Sequence, residues 1–154
     1  MFGQVWHELE LGVAASEVWD LCSTSRLGKL ISTELCHVIE KVNIIEGDGG
    51  VGTVLKVKLG PGIQGPSNFI EKLTKIDNEK RIKEMEVIEG GYLELGFTLY
   101  VFRTEVIEKG NDSSIIKSSI LYDIKEEAAD NVTFVNLQLL IEMAELAKKH
   151  LNKN

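Results

Sequence analysis

The chain is poor in the residues that mark several whole classes of protein. Its 154 residues include only two cysteines, Cys22 and Cys36, too few for a disulfide scaffold. It has three histidines, His7, His37 and His150, with no paired ligand spacing, so neither a metal site nor a cofactor is expected. No apolar run reaches the roughly 18 residues of a membrane-crossing helix. The first residues, MFGQVWHELELG, carry polar and acidic groups where a secretion signal would need an apolar stretch, which predicts a cytoplasmic protein. Lys and Arg number 17 against 24 Asp and Glu, a net charge of −7. A protein that binds nucleic acid through phosphates needs clustered cations to displace counterions, so that class is disfavoured. At about 100–200 residues per domain, the length reads as one domain spanning 1–154.

What is present is a chain punctuated by glycine. The marks fall at 47, 49, 50 and 52, then at 60, 62 and 65, at 90 and 91, and at 110. Both prolines, Pro61 and Pro66, fall in the turn segment 60–66. Between the marks lie β-branched, partly alternating stretches at about 2–11, 38–46, 53–59, 67–76, 80–89, 92–108 and 114–124. Asp77-Asn78-Glu79 and Gly110-Asn111-Asp112 read as hairpin turns. Two short segments, about 14–22 and 24–34, place Val18, Trp19 and Leu21, then Leu27, Leu30 and Ile31, at helical spacing. From about Glu126 to Lys153 there is neither glycine nor proline. Val132, Val135, Leu139, Met143 and Leu146 form an apolar stripe there, and the segment predicts one long amphipathic helix. The fold class that buries all these faces is α+β: a curved antiparallel sheet wrapped around a long C-terminal helix.

Several motifs sharpen this reading. The loop Gly47-Asp48-Gly49-Gly50-Val51-Gly52-Thr53 resembles the signature loop of the plant pathogenesis-related class 10 / Bet v 1 family. His7-Glu8-Leu9-Glu10-Leu11, Ile88-Glu89-Gly90-Gly91-Tyr92-Leu93-Glu94-Leu95-Gly96 and Ile116-Lys117-Ser118-Ser119 resemble its norcoclaurine-synthase-like branch. Asp77-Asn78-Glu79 followed by Arg81 matches as well. The resemblance implies a helix-grip fold, with seven strands, two short helices and an internal hydrophobic cavity. It implies a small hydrophobic or aromatic ligand, and a monomer or weak dimer. The lining it implies is Val57, Phe69, Leu73, Met85, Val87, Tyr100 and Phe102 from the sheet, and Leu137, Leu140 and Ile141 from the helix.

The glycine loop invites a phosphate-cradle reading, but Thr53-Val54-Leu55-Lys56 opens a strand where that motif needs a helix. A tight hairpin is expected instead. Cys22 and Cys36 read as core or helix-end thiols. Asn111-Asp112-Ser113 and Asn131-Val132-Thr133 fit the glycosylation pattern, which means little without secretion.

Glu71 and Lys83 are the sharpest candidates. Phe69, Glu71 and Leu73 share one face of their strand, and Ile70, Lys72, Thr74 and Ile76 the other; Lys83, Met85 and Val87 share a face of the next, extended at its rim by Arg81. Both faces mix apolar and charged residues, so the alternation leaves the inward face open. The resemblance implies catalytic roles for both, because norcoclaurine synthase works with a lysine and a glutamate whose motif positions fall on Lys83 and Glu71. Condensing an amine with an aldehyde needs a proton donor for the departing hydroxyl, and a Pictet–Spengler closure needs a base for the ring proton. An apolar pocket brings both groups towards neutral pH from opposite sides. The pattern departs from the synthase at Phe69, where the resemblance implies a tyrosine, and at Phe102, where it implies an aspartate. Tyr100 lies on the face of Phe102 and carries a hydroxyl. The expectation is an alkaloid-type condensing or cyclising enzyme for a step other than norcoclaurine formation. The alternative is a non-catalytic, defence-related carrier of hydrophobic metabolites or cytokinin-like hormones.

Overall fold

The computed structural model describes residues 1–152. Its elements run β1 (Phe2–Leu11), α1 (Ala15–Cys22), α2 (Ser25–Glu34), β2 (Ile39–Glu46), β3 (Val54–Leu59), β4 (Asn68–Asp77) and β5 (Ile82–Glu89), then a 3-10 helix (Gly91–Leu95). They continue with β6 (Phe97–Gly110), β7 (Ser113–Ile124), a second 3-10 helix (Glu126–Phe134) and α3 (Gln138–Leu151). The strands form one antiparallel sheet in the order β1-β7-β6-β5-β4-β3-β2. Each consecutive pair from β2 to β7 is a hairpin, and only β1 joins out of order, on the far side of β7. The α3 helix lies against β1 and β7 and against the V formed by α1 and α2.

Local chemistry accounts for the turns. Asn111 and Asp112 form the two-residue link that brings Gly110 opposite Ser113. Between β4 and β5 the Asp77 carboxylate accepts from the amides of Glu79 (3.0 Å) and Lys80 (2.9 Å), an Asx turn. The neighbouring Asn78 accepts from the Trp19 indole at 2.9 Å and ties this turn to α1. In the glycine loop, the Gly49 amide donates to Thr53 Oγ1 (2.8 Å) and the Gly50 amide to Asp48 (3.0 Å). Two of the amides a phosphate would need are therefore engaged in holding a hairpin.

Four expectations are corrected. The stretch from Glu126 onward is not one helix: 3-10 turns occupy Glu126–Phe134, Val135 is extended, and α3 begins at Gln138. Val132, Thr133 and Val135 are β-branched and weak in helices, and the Asn136 side chain accepts from the Gln138 amide at 2.8 Å, which starts a new helix there. Asn131 is also drawn away, donating to the Leu95 carbonyl at 2.7 Å. Lys153, the predicted end of that helix, lies outside the described residues. The second correction is at 92–95, which is a 3-10 helix and not the start of a strand. Gly91 and Gly96 hold φ of 54° and 98°, outside ordinary strand backbone. The third is Ile76. A β-bulge between Leu73 and Lys75 returns it to the interior face, opposite Lys83. The fourth is Arg81, which has φ of 55° in the turn and does not extend the face of Lys83.

A β-carbon at Gly96 would overlap that of Ala128. Gly96→Ala is therefore expected to destabilise the protein by about 2 kcal/mol, from left-handed strain plus that overlap, read as a lowered urea midpoint at unchanged slope.

The core lies between the sheet and the helices. Val18 and Leu21 of α1, Ile116, Ile120 and Ile124 of β7, and Leu140, Ala144 and Ala147 of α3 are all buried. A hollow of about 10 Å³ lies in this interior, lined by Leu27, Ile116, Leu140 and Ala144 among others, and another of about 20 Å³ lies between α2 and α3. The first has room for roughly one water.

Candidate active site

The register decides which face Glu71 and Lys83 share. Across β4 and β5, Glu71 lies opposite Val87, Leu73 opposite Met85, and Ile76 opposite Lys83. Across β3 and β4, Val57 lies opposite Phe69. Across β5 and β6, Met85 lies opposite Phe102 and Lys83 opposite Thr104. Val57, Phe69, Leu73, Val87 and Phe102 are all buried in the core. Glu71 and Lys83 alternate with them and so belong to the interior face, both half-buried.

Of the remaining residues expected to line the site, Tyr100 and Leu140 are buried, and Met85 and Leu137 pack against the core. Ile141 is half-buried and stands apart from that cluster, whereas Met143 and Ala144 line the smaller hollow beside Leu140. On a helix the inward stripe repeats every three or four residues, so Leu140 and Ala144 share a face from which Ile141 is turned by about 100°.

The α1 helix places Lys83. Its last residue, Cys22, offers a backbone carbonyl that accepts from Lys83 Nζ at 3.3 Å, at the end where the helix dipole favours a cation. The Trp19–Asn78 bond holds α1 over the β4–β5 hairpin, so the carbonyl and the amine arrive together. Burial nevertheless lowers the Lys83 pKa from 10.5, against the opposing attraction of the Cys22 thiol and of Glu71. Burial raises Glu71 from 4.5 to about 7, with Lys83 pulling the other way. The Cys22 thiol is pushed up to about 11, also by burial, and is no nucleophile at neutral pH. Each carries a charge that opposes the other's shift, so the two act on one another across the β4–β5 pair.

Two features of the site were not legible in the sequence. The first is a polar row crossing the sheet, in which His7 lies opposite Ser118, Ser118 opposite Thr104, and Thr104 opposite Lys83. The 10 Å³ hollow opens on this row, lined by Thr104, Ser118 and Cys22 among others, and at the row's end His7 Nδ1 is buried with no hydrogen-bond partner among the described residues. Register alone creates the row, because the four residues come from four strands. The second is Tyr92, quoted above in a family motif but taken there as part of a strand. From its 3-10 helix it enters the core and stacks on Tyr100, with centroids 3.8 Å apart and rings inclined by 10°. Phe69 and Phe102, the two departures from the synthase pattern, stack on each other at 6.0 Å. Tyr100 is fully buried beneath Tyr92, and its hydroxyl has no hydrogen-bond partner among the described residues.

Comparison with known proteins shows the family and the fold. The model of the pathogenesis-related protein Bet v 1 family matches residues 1–154. Norbelladine synthase of Narcissus pseudonarcissus is 44% identical over 151 residues, covering 98% of this chain and 93% of that protein. S-norcoclaurine synthase 2 of Papaver somniferum is 38% identical over 97% of this chain, which spans 65% of that relative's length. The norcoclaurine synthase of Thalictrum flavum, solved in complex with dopamine and hydroxybenzaldehyde, superposes with a TM-score of 0.90 at 38% identity, covering 100% of this chain and 90% of that one.

Proposed function

Because the chain belongs to the pathogenesis-related protein Bet v 1 family, we propose that it is an enzyme joining an aromatic amine to an aldehyde, with Lys83 as the acid and Glu71 as the base. The observation that carries this reading is the pair itself: a lysine lowered and a glutamate raised by burial on one interior face. The amine adds to the aldehyde to give a carbinolamine. The Lys83 ammonium protonates the departing hydroxyl, water leaves, and an iminium remains. Where the amine carries an activated ring, a ring carbon attacks the iminium and Glu71 takes the ring proton, which restores aromaticity. Glu71 then releases the ring proton to solvent and Lys83 regains one from it, so both groups are restored and the cycle closes without a cofactor. Opposed shifts towards neutrality make each group a useful partner near pH 7.

The reaction is a step other than norcoclaurine formation. Phe69 and Phe102 stack where the resemblance implies a tyrosine and an aspartate, so the site lacks one hydroxyl and one carboxylate for holding a catechol. The same stack favours a second reading, a carrier of hydrophobic metabolites, because it makes the interior more apolar.

The test is incubation with dopamine and 4-hydroxyphenylacetaldehyde, and then with other amine–aldehyde pairs, followed by chiral analysis. At least one pair is expected to give product above the buffer rate, and a cyclised product with one enantiomer in excess. Buffer-rate, racemic product for every pair would overturn the enzyme reading. Saturable displacement of an apolar fluorescent dye without any turnover would then support the carrier.

A further inference from the structure

The polar row that ends at Lys83 is out of place in this sheet. In the interior row on one side of it, Val5, Ile120, Phe102 and Met85 lie opposite one another; on the other side stand Leu9, Ile116 and Val106. Between these two apolar rows come His7, Ser118, Thr104 and Lys83, one from each of β1, β7, β6 and β5. Ser118 is buried and Thr104 half-buried. Packing alone favours apolar side chains at such positions, since a buried polar group costs stability unless it is hydrogen-bonded. Something other than packing accounts for the row.

The row has the parts of a path for protons. Neighbouring strands lie about 4.8 Å apart, and side chains directly opposite one another have β-carbons about 5 Å apart. At that spacing two polar groups bond directly or through one water. The hollow of about 10 Å³ lies beside the middle of the row, lined by Cys22, Thr104 and Ser118 among others. It has room for roughly one water, which would meet both hydroxyls. At one end of the row, Lys83 Nζ bonds to the carbonyl of that same Cys22. At the other, His7 belongs to the edge strand β1 and is half-buried, with its Nδ1 enclosed and unpartnered among the described residues. Ser118, directly opposite, is the group the row offers to it.

We propose that His7 is a proton shuttle for Lys83, joined to it through Ser118, Thr104 and a water held in the hollow. Once Lys83 has given up its proton, the His7 imidazolium passes the proton on Nδ1 to the Ser118 hydroxyl. Ser118 hands its own proton to the water or to Thr104, and the last carrier protonates the Lys83 amine. Each carrier accepts one proton and gives one, so the row is left unchanged. One positive charge has moved from the imidazole to the lysine. The ring then turns about its Cβ–Cγ bond and regains its proton from solvent. His7 does not touch substrate; it acts through Lys83. The shuttle supplies the return proton of the proposed condensation, and its part in turnover rests on that reading.

Proton exchange at Lys83 tests the path without any turnover. In protein carrying isotope-labelled lysine, the Lys83 ammonium signal is the one missing from Lys83→Arg, and its exchange with water is read by NMR. Exchange is expected to slow about tenfold or more in His7→Phe, whose ring matches in size and carries no proton. Ser118→Ala interrupts the row at its middle and should act alike, which keeps the test open should His7→Phe not fold. Equal exchange in wild type and variants would overturn the shuttle and leave Lys83 as the acid. With any pair that turns over, kcat should fall in His7→Phe at unchanged KM, and added imidazole should restore it. A loss that imidazole does not restore would make His7 a structural residue and overturn the shuttle. Absence of turnover for every pair would overturn the enzyme reading, while the exchange rates still decide the path.

Discussion

Replacing Lys83 by alanine is expected to lower turnover of any amine–aldehyde pair the wild-type protein joins by about 10²–10⁴-fold, the usual contribution of a positioned acid or base. Lys83 is held by the Cys22 carbonyl at 3.3 Å and faces the interior from the middle of the sheet. That placement is what the proposed role as proton donor requires. Lys83→Arg should recover little of the loss. A guanidinium stays charged across the working pH range, so it keeps the cation and cannot serve as the proton donor. The pH profile of wild-type kcat/KM should be bell-shaped. Its acid limb is expected near 7, where Glu71 becomes a base, and its alkaline limb below the usual lysine range, where Lys83 ceases to be an acid. A loss of less than about tenfold in Lys83→Ala, with the profile unchanged, would remove Lys83 from the mechanism.

The same pair should leave a trough in the stability curve. Glu71 titrates at about 7 in the folded protein and near its ordinary 4.5 when unfolded. Between those values the folded state holds more protons than the unfolded state, so stability falls as pH rises from about 4.5 to 7. Lys83 works in the opposite direction. Its folded value is lowered, so the unfolded state holds more protons between that value and 10.5, and stability returns as pH climbs through this window. The Glu71 penalty is complete above about 7, and the Lys83 penalty is complete below its lowered folded value.

The size of the acid limb follows from about 1.4 kcal/mol for each pH unit separating the two values. Allowing for the solvent that still reaches the half-buried Glu71 side chain, it amounts to about 2 kcal/mol. Urea titrations at pH 5 and pH 8 should show Glu71→Gln gaining about 2 kcal/mol relative to wild type between the two conditions. Lys83→Met should flatten the alkaline limb in the same comparison. Parallel curves for wild type and Glu71→Gln across this range would show that the carboxyl is not held in its neutral form. The two experiments read one physical fact twice: desolvation that makes the pair useful for proton transfer also makes it costly to fold.

How far the sequence carried these conclusions differs from element to element. The β4–β5 and β6–β7 turns were legible because Asp77, Asn78, Asn111 and Asp112 act within a few residues of themselves. The two short helices and the strand runs were legible for the same reason, as side-chain period is a local property. The identities of Glu71 and Lys83 came from motif resemblance, and the departures at Phe69 and Phe102 were visible in the same way.

What the tertiary structure decided is what depends on contacts between distant parts of the chain. Segment 126–137 lacks glycine and proline and continues a helical apolar stripe, yet Asn131 bonds to Leu95 across 36 positions and the helix starts only at Gln138. The inward face of β4 could not be read because charge and apolarity mix on both sides. The bulge at Leu73–Lys75 then moved Ile76 from one face to the other, which no alternation rule anticipates. The row from His7 to Lys83 exists only through the register of four strands. Tyr92 reaches the core because Gly91 and Gly96 bend the backbone at both ends of its helix. The sequence by itself determined which groups could carry a proton. Only the packing of the sheet around α1 and α3 decided that they share one interior face, because burial is a sum over neighbours that lie far apart in the chain.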